Sequence, residues 1–555
     1  MSVMSDLPAT QQAVQLVGPD QLVLNDSKAV HSPGPRQILA RVEAVGLCFS
    51  DLKLLKQFSS HPRKGEIVSG LEAAVLAEIP SYVPGERPVV PGHEAVCRIV
   101  AVGDDVRHHK VGERVLVQTD YRELKTAGSN AAFGYNFAGG LQEYVLMDER
   151  VIMEPNTGER FLIPVPENLG ASAVCLVEPW ACVEDSYVSG ERRAPKAGGR
   201  MLIVAADGAV VAGLGNACRE GLPAEVVAVC SGANKQKVAA SFKSAAFVET
   251  LEAVDGAFDD VVYFGSDART IEALNDRLGA KGIINIVLGG RRIDRQVSVA
   301  VGRVHYGMTR WVGTIGPDAA ESYKNIPATG EIRPGDSIIV IGAGGPMGQM
   351  HVIRNLCSGV KDISLTLTDV DAGRMQSLLR RAEPIARRLG VTLQVGDSAD
   401  ARHDYFALMA PVAQLVADAV AHSNDGAIIN IFTGIPAQTR HEIDLNTYIQ
   451  RRCFMFGTSG SVIRDMRIVL DKISNGSLDT DGSVDAVSGM AGALEGLKAV
   501  EDRTLAGKII VYPCLRNMGL VPLSELKNNH PSVAAKLNNG LWCKSAEEEL
   551  LKTAT

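Results

Sequence analysis

The hydrophobic pattern is clearest at residues 337–356, where a short apolar run meets glycines and then apolar residues at helical spacing. The β-branched run at 338–341 predicts a buried strand, and Met350, Ile353 and Leu356 recur as on one face of a helix. The glycines between them predict a tight turn. In such a strand–turn–helix unit the backbone approaches a pyrophosphate, which lies at the positive end of the helix.

A second predicted strand, residues 363–368, ends at Asp369. An acid at this point suits the ribose hydroxyls of NAD and repels the 2′-phosphate of NADP. The predicted NAD contacts are Gly342, Gly344, Gly345, Pro346, Met347, Gly348 and Asp369. The turn has one residue more than G-x-G-x-x-G, so either Gly342 or Gly344 is the surplus glycine. The alternative, a glycine-rich turn that binds nothing, is disfavoured by the flanking strands and helix.

The composition describes an ordinary globular protein of 555 residues, with 46% apolar and 22% charged residues. The net charge of −8 argues against nucleic acid or an anionic membrane as a partner. The first residues contain neither a charged n-region nor an apolar h-region, so no secretion signal is expected. Ten cysteines without C-x-x-C pairs favour reduced thiols. We therefore expect a cytoplasmic protein.

Residues 1–190 show short alternating strands with turn signals, which predicts an all-β, barrel-like domain. Within it, residues 46–51, 91–94 and 177–182 offer a thiolate, an imidazole and carboxylates. A catalytic zinc uses this mixture, with three protein ligands and an open position. Taken singly, each residue also has a structural explanation: a lone Cys is usually a small buried hydrophobe, and Glu178 before Pro179 suits a helix start.

In order, these stretches resemble the zinc-dependent medium-chain dehydrogenase/reductase family, especially its sorbitol and threonine dehydrogenase branch. The family patterns G-[IL]-C-x-S-D, P-x-x-x-G-H-E, V-G-[DE]-R-V, G-G-x-[AQ]-E-Y and E-P occur here at 46–51, 88–94, 111–115, 139–144 and 178–179. The resemblance covers about residues 1–190 and 326–512. It implies an α/β protein with a GroES-like β-barrel catalytic domain and a Rossmann-type cofactor domain.

The resemblance implies one catalytic zinc held by Cys48, His93 and Glu178, with Glu94 as an alternative or exchanging ligand. Residues 119–138, where the family carries a lobe of four cysteines, contain no Cys, so no structural zinc is expected.

The resemblance also assigns roles around the metal and the cofactor. It implies that Asp51 orients His93 and that Ser50 relays the substrate proton towards solvent. Thr458 and Ser459 correspond to a segment near the nicotinamide. Cys182, four residues after Glu178, is either a further sulfur near the metal or, more in keeping with its type, a packed thiol.

The region between the two parts looks like a copy of the cofactor domain. Four segments recur in order: 184–187, 199–208, 282–286 and 311–316 match 320–323, 336–345, 427–431 and 455–460. At the positions of Gly342, Gly344 and Gly348 the first copy has Ala205, Asp207 and Val211. A carboxylate repels a pyrophosphate and a β-branched residue hinders close approach, so we expect a degenerate repeat that binds no dinucleotide. It would serve as a packing surface, an oligomer surface or a lid.

These features predict four domains: a GroES-like catalytic domain at 1–190, a degenerate Rossmann repeat at 191–325, an NAD-binding Rossmann domain at 326–512 and a helical appendage at 513–555. The predicted activity is hydride transfer from a secondary alcohol, polyol or sugar-like, to NAD, in a homo-oligomer of two or four subunits. Two other hypotheses remain open at this point. They are an NAD-retaining lyase or epimerase, and a non-catalytic nucleotide-binding scaffold.

Overall fold

The computed structural model describes residues 7–397, 401–458 and 460–554. The chain divides into two compact units. One unit combines Met1–Glu184 with Ser461–Thr555, and the other is Asp185–Gly460.

The N-terminal part of the first unit is mostly β-structure. Its strands are β1 (Thr10–Gly18), β2 (Gln21–Ala29), β3 (Gln37–Gly46), β4 (Ile67–Ser69), β5 (Glu94–Val102), β6 (Arg114–Val117), β7 (Asp120–Thr126), β8 (Asn130–Ala132), β9 (Tyr144–Asp148) and β10 (Leu162–Pro164). Its helices are α1 (Phe49–Gln57), α2 (Ala73–Ala77), α3 (Glu149–Ile152), α4 (Ala171–Cys175) and α5 (Val177–Val188), of which the last ends within the second unit.

The second unit alternates strands and helices. Its strands are β11 (Arg200–Ala205), β12 (Glu225–Val229), β13 (Ala246–Val248), β14 (Phe258–Phe264), β15 (Leu278–Val287), β16 (Val297–Val299), β17 (Arg310–Thr314), β18 (Ser337–Ile341), β19 (Ser364–Thr368), β20 (Thr392–Val395), β21 (His403–Leu408), β22 (Ser423–Ile431), β23 (His441–Ile443) and β24 (Phe454–Phe456). Its helices are α6 (Leu214–Ala217), α7 (Gly232–Ser241), α8 (Ala268–Arg277), α9 (Val301–Tyr306), α10 (Ala319–Lys324), α11 (Pro346–Leu356), α12 (Ala372–Leu389), α13 (Gln414–Ala421) and α14 (Leu445–Gln450).

The C-terminal part returns to the first unit. Its strands are β25 (Val484–Ser488), β26 (Lys508–Val511) and β27 (Val521–Pro522). Its helices are α15 (Ile463–Ser474), α16 (Ala493–Asp502), α17 (Leu526–Asn529), α18 (Pro531–Ala534) and α19 (Lys544–Thr553).

The main sheet of the first unit has eight strands in the order β10-β6-β5-β3-β26-β25-β27, with β9 also paired to β3. Strand β3 is therefore central and contacts β5, β9 and β26. Its antiparallel register places Gly46 opposite Glu94 of β5, and Gly46 also faces Ile510 of β26. Because β3 ends and β5 begins at this corner, the chain segments that carry Cys48 and His93 meet there.

The C-terminal helices are attached to the first unit by a buried carboxylate. Glu547 of α19 accepts hydrogen bonds from the backbone N–H groups of Ala171 and Ser172 at 2.6 and 2.7 Å, and from the Tyr512 hydroxyl at 2.9 Å. These N–H groups belong to the first turn of α4, where a helix has unsatisfied donors and favours negative charge. The Trp542 indole packs beside them and donates to Ser172.

The second unit contains two six-stranded parallel sheets with the same topology. Their orders are β13-β12-β11-β14-β15-β17 and β20-β19-β18-β21-β22-β24. Both follow the doubly wound order 3-2-1-4-5-6 of dinucleotide-binding folds. The predicted fold class, with two tandem Rossmann-type sheets, is confirmed, whereas the domain boundaries stay predictions.

The two sheets differ in the helix after their first strand. In the second sheet, α11 has 11 residues, but the corresponding α6 of the first sheet has only 4. In the part of the chain that the structure describes, no helix combines the length and apolar character needed to cross a bilayer.

Two arginine–glutamate pairs in the second unit allow a test of how burial changes the contribution of an ion pair to stability. Arg310 pairs with Glu191 through two bonds of 2.8 Å, and both side chains are 8% exposed. Arg200 pairs with Glu225 through bonds of 2.6 and 2.7 Å, but these side chains are 39% and 48% exposed.

We expect Arg310→Met to lower the free energy of unfolding by about 3–5 kcal/mol, because it leaves a buried carboxylate unpaired. Arg200→Met is expected to lower it by about 1 kcal/mol or less, because water screens the exposed pair. Urea denaturation curves of both variants check this. Equal shifts of the two midpoints would contradict the stabilising role of the buried pair.

Candidate functional site

A cluster of potential metal ligands lies at the corner where β3 ends and β5 begins. One ligand atom each from Cys48, His93 and Glu94 lies within 4.8 Å of the other two. Among the described residues it is the one group of three or more His, Cys, Asp and Glu side chains close enough to hold a metal ion. His93 and Glu94 are buried, and Cys48 is partly exposed. The sequence-predicted Cys48, His93 and Glu94 are thus brought together.

The local sequence around α1 orients the imidazole. Cys48 is the N-cap of α1, and the Asp51 carboxylate accepts the Cys48 backbone N–H at 3.1 Å through Oδ2. Its Oδ1 lies 3.0 Å from Nδ1 of His93. One carboxylate therefore caps the helix and fixes the ring, which leaves Nε2 directed to the cluster. Burial alone would lower the pKa of His93, but the charge and hydrogen bond of Asp51, together with contacts from Tyr135 and Cys48, raise that pKa well above the usual value.

The hydroxyl of Ser50 lies between the sulfur of Cys48 and a ring nitrogen of His93. The hydroxyl oxygen is 3.1 Å from Cys48 Sγ and 3.1 Å from His93 Nε2. The residue is partly exposed. Its role in proton transfer stays a prediction from the resemblance.

Lys508 is a member of this site that sequence reasoning missed. Its Nζ donates to Glu94 Oε1 at 2.6 Å and to the Leu47 carbonyl at 2.7 Å, and both charged side chains are buried. Burial would lower the pKa of Lys508, but the neighbouring Glu94 charge raises it above the usual value. A single lysine at the start of the apolar strand β26 was the signal available in the sequence.

The second oxygen of Glu94 has no hydrogen bond among the described residues, although it is buried. It fits beside Gly46, where an added Cβ would lie 2.1 Å from Oε2. A buried carboxylate oxygen without a donor is unfavourable unless a cation neutralises it. The donor set of thiol, imidazole and carboxylate, together with this oxygen, fits a zinc ion.

Glu178 lies on α5, close to the cluster but outside the group of three. Burial raises the pKa of its carboxyl to about 7, against the opposing attraction of His93. None of the hydrogen bonds among the described residues involves this carboxylate. The structure therefore groups Glu94, and not Glu178, with Cys48 and His93, while it leaves Glu178 as a nearby acid without a hydrogen-bond donor.

The predicted cofactor turn lies in the second unit, between β18 and α11. Gly342 has a φ of +83°, a conformation that favours glycine. A Cβ at Gly348 would lie 2.2 Å from the Gly342 carbonyl oxygen, and one at Gly344 would lie 2.8 Å from Arg374 Cβ. At Gly345 the nearest atom would be 3.9 Å away. The dispensable glycine is thus Gly345, rather than Gly342 or Gly344 as the pattern suggested.

Asp369 holds the turn from the end of β19. Its Oδ2 accepts the Gly344 backbone N–H at 2.8 Å, and its Oδ1 accepts that of Asp371 at 2.9 Å. Pro346 and Met347 form the first positions of α11, and no side chain of the described residues caps this end of the helix. The first backbone N–H groups of α11 therefore lie beside the turn without an intrahelical partner.

Thr458 follows β24 in the same unit. It is buried, and its hydroxyl has no hydrogen bond among the described residues. Ser459 lies outside the described residues.

The corresponding turn of the first repeat is occupied by its own side chains. Asn234 accepts the Val211 backbone N–H at 3.0 Å and donates to the Ala209 carbonyl at 2.8 Å. The short α6 follows. That the first repeat binds no dinucleotide stays a prediction; its turn carries Asp207, which disfavours a pyrophosphate.

Sequence comparison relates part of the chain to known alcohol dehydrogenases. Residues 34–156, which contain Cys48, His93 and Glu94, match the model of the alcohol dehydrogenase GroES-like domain. The chain is 25% identical over 383 residues to mannitol-1-phosphate 5-dehydrogenase of Aliivibrio fischeri, covering 61% of this chain and 87% of that protein. It is 32% identical over 101 residues to sorbitol dehydrogenase of Bos taurus, covering 18% and 22%. These findings confirm the resemblance seen in the motifs and support an oxidoreductase that acts on alcohols.

A solved dehydrogenase shows a similar fold. The structure of 2R,3R-butanediol dehydrogenase from Bacillus subtilis aligns with a TM-score of 0.52 at 14% identity, over 91% of this chain and 100% of that one.

We expect Asp51→Asn to weaken zinc binding about 10–100-fold, because the partner that fixes the His93 ring is altered. Chelator competition measures the dissociation constant. Glu149→Gln is the matched control, since Glu149 contacts His109 at 2.8 Å in the same unit. Loss of zinc affinity in both variants, or in neither, would contradict the positioning role of Asp51.

Proposed function

We propose that the chain is a zinc- and NAD-dependent dehydrogenase that transfers a hydride from a secondary alcohol, a polyol or sugar-like compound, to NAD. The observation that carries this proposal is the cluster of Cys48, His93 and Glu94, with its imidazole held by Asp51 and its hydroxyl relay at Ser50. The names of the related mannitol-1-phosphate and sorbitol dehydrogenases favour a polyol.

Cys48, His93 and Glu178 would hold the zinc, with Glu94 as the exchanging ligand. When bound, zinc supplies a Lewis acid that lowers the pKa of the substrate hydroxyl. Asp51 keeps the His93 proton on Nδ1, so that the lone pair of Nε2 is available to coordinate the metal. Ser50 accepts the hydroxyl proton of the substrate and passes its own proton to water.

The choice of Glu178 over Glu94 rests on their different partners. Glu94 is paired with Lys508 through Oε1 and keeps only Oε2 without a donor, whereas neither oxygen of the Glu178 carboxylate has a hydrogen-bond donor among the described residues. With Cys48 as the thiolate that metal binding requires, the carboxylates of Asp51, Glu94 and Glu178 add further negative charge to the corner that the described residues Lys508 and His93 share. A divalent ion would balance part of this charge, best beside the acid whose two oxygens both lack a donor.

The cofactor preference follows from the turn at β18 and α11. The helix end offers backbone donors for a pyrophosphate, and the Asp369 carboxylate disfavours a 2′-phosphate. We propose NAD as the cofactor, with Gly342, Gly344 and Gly348 allowing its close approach. One catalytic zinc without a structural zinc, a cytoplasmic location and a homo-oligomer of two or four subunits stay predictions from the sequence.

We expect Glu178→Gln to weaken zinc binding by about 100-fold or more, because it removes an anionic ligand, and to abolish NADH formation from polyols. The matched variant is Glu94→Gln with Lys508→Met, which removes the neighbouring pair together and leaves no buried lysine unpaired. That double variant is expected to retain zinc within about tenfold.

Zinc affinity by chelator competition and initial rates from NADH absorbance provide the readouts. Zinc loss in the double variant but not in Glu178→Gln would make Glu94 the third ligand. Tightly bound NAD without net NADH formation in the wild type would replace the dehydrogenase proposal with a lyase or epimerase.

We expect Asp369→Asn to improve binding of NADPH about 10–30-fold, because it removes a negative charge but keeps an acceptor for the Gly344 N–H. Asp371→Asn is the control, since Asp371 caps α12 by accepting the Arg374 N–H at 3.0 Å. Cofactor fluorescence gives both dissociation constants. Wild-type protein that binds NADPH as tightly as NADH would refute the assignment of Asp369.

A further inference from the structure

The two Rossmann-type repeats of the second unit contact each other through equivalent strands. β16 and β23 each lie in the chain between the last two strands of their sheets. They pair antiparallel, with Val297 opposite Ile443, Ser298 opposite Glu442 and Val299 opposite His441. The midpoint of one strand therefore faces the midpoint of its counterpart, as a two-fold axis requires.

A second pair of contacts has the same reciprocity. Gly313 and Gly457 occupy matching places in the repeated segments 311–316 and 455–460. A Cβ at Gly313 would lie 2.7 Å from Ile449 Cγ1, and one at Gly457 would lie 2.8 Å from His305 Cα. His305 and Ile449 are the fifth residues of α9 and α14, which follow β16 and β23. Each repeat thus packs its glycine against the same helix position of the other.

Buried apolar side chains join the two repeats behind these contacts. A single hydrophobic cluster includes Ile284, Ile286 and Trp311 from the first repeat and Ile429, Ile431 and Met455 from the second. The contact is therefore a shared core and not a polar surface between loosely associated domains.

The first repeat also supports the end of the cofactor sheet. Arg310, held by Glu191, donates to the Gly457 carbonyl at 3.2 Å, directly before Thr458. His305 donates from Nδ1 to the Ile431 carbonyl, 3.1 Å away, at the end of β22. The last two strands of the cofactor repeat are thus both contacted by polar groups of its degenerate copy.

We infer that the first repeat is an in-chain partner for the cofactor repeat, in the position that a second copy of the chain would take in a two-fold dimer. In a symmetric dimer, an isologous contact joins the same strands and helices of the two subunits. Here the equivalent strands and helices belong to one chain, so this surface of the cofactor repeat is already covered and cannot bind a second chain. Any homo-oligomer must therefore form through other surfaces. The inference concerns the repeats alone and does not depend on the proposed activity.

The pair Ser298 and Glu442 provides the test. The Ser298 backbone N–H bonds to Glu272 and its carbonyl accepts from Arg440, so Ser298 and Glu442 do not exchange backbone hydrogen bonds. Such a pair has Cα atoms about 4.5 Å apart, within the range that a disulfide spans. Oxidised protein carrying Ser298→Cys with Glu442→Cys is expected to run as one chain, with the two peptides linked in mass spectra.

Ser298→Cys alone and Glu442→Cys alone are the controls, in the presence of the ten native cysteines. Neither is expected to form linked dimers beyond the wild-type level, and sedimentation should give the wild-type mass for the linked double variant. Linked dimers of Ser298→Cys alone would show that β16 pairs between two chains, and would overturn the inference. A double variant that links two chains, or that forms no link, would also contradict it.

Discussion

The site depends on the register between β3 and β5. Opposite pairing of Gly46 and Glu94 places the thiol, the imidazole and the carboxylate at one corner of the sheet. A shift of one residue would turn every side chain of a strand to the other face, and Glu94 would lose both Lys508 and the space beside Gly46. The register is fixed from both sides, because β3 also pairs with β9 and β26.

Charge balance is the second constraint on this corner. Lys508 reaches the site from β26, near the C-terminal end of the fold, and neutralises Glu94. Asp51 is satisfied by the helix cap and the His93 ring. The remaining acid, Glu178, has a pKa raised to about 7 by burial, so a cation beside its carboxylate favours the ionised form. Buried carboxylates close to one another are unfavourable when no cation is bound. The same carboxylates are favourable when they surround a divalent metal ion.

The sequence predicted those parts of the molecule that local patterns encode. The strand–glycine–helix unit, the second strand ending in Asp369 and the parallel sheets follow from hydrophobic spacing, and the order of the motifs indicated the family. Lys508 could not be assigned, because its contact with Glu94 joins residues more than 400 positions apart. Gly345 was not recognised as the dispensable glycine, since this depends on the packing of Arg374 and the Gly342 carbonyl. The pairing of β16 with β23 could not be predicted either, because the repeated sequence segments do not show how the two repeats contact each other.

The most direct measurement is the zinc content of the purified wild-type chain and of Cys48→Ala, determined by elemental analysis together with NAD binding. The account predicts about one zinc per wild-type chain, its loss in Cys48→Ala, and NAD binding that survives in both proteins because the cofactor turn lies in the other unit. Wild-type protein that binds NAD tightly but contains no zinc, and takes up none when zinc is added, would contradict the proposed metal-dependent mechanism.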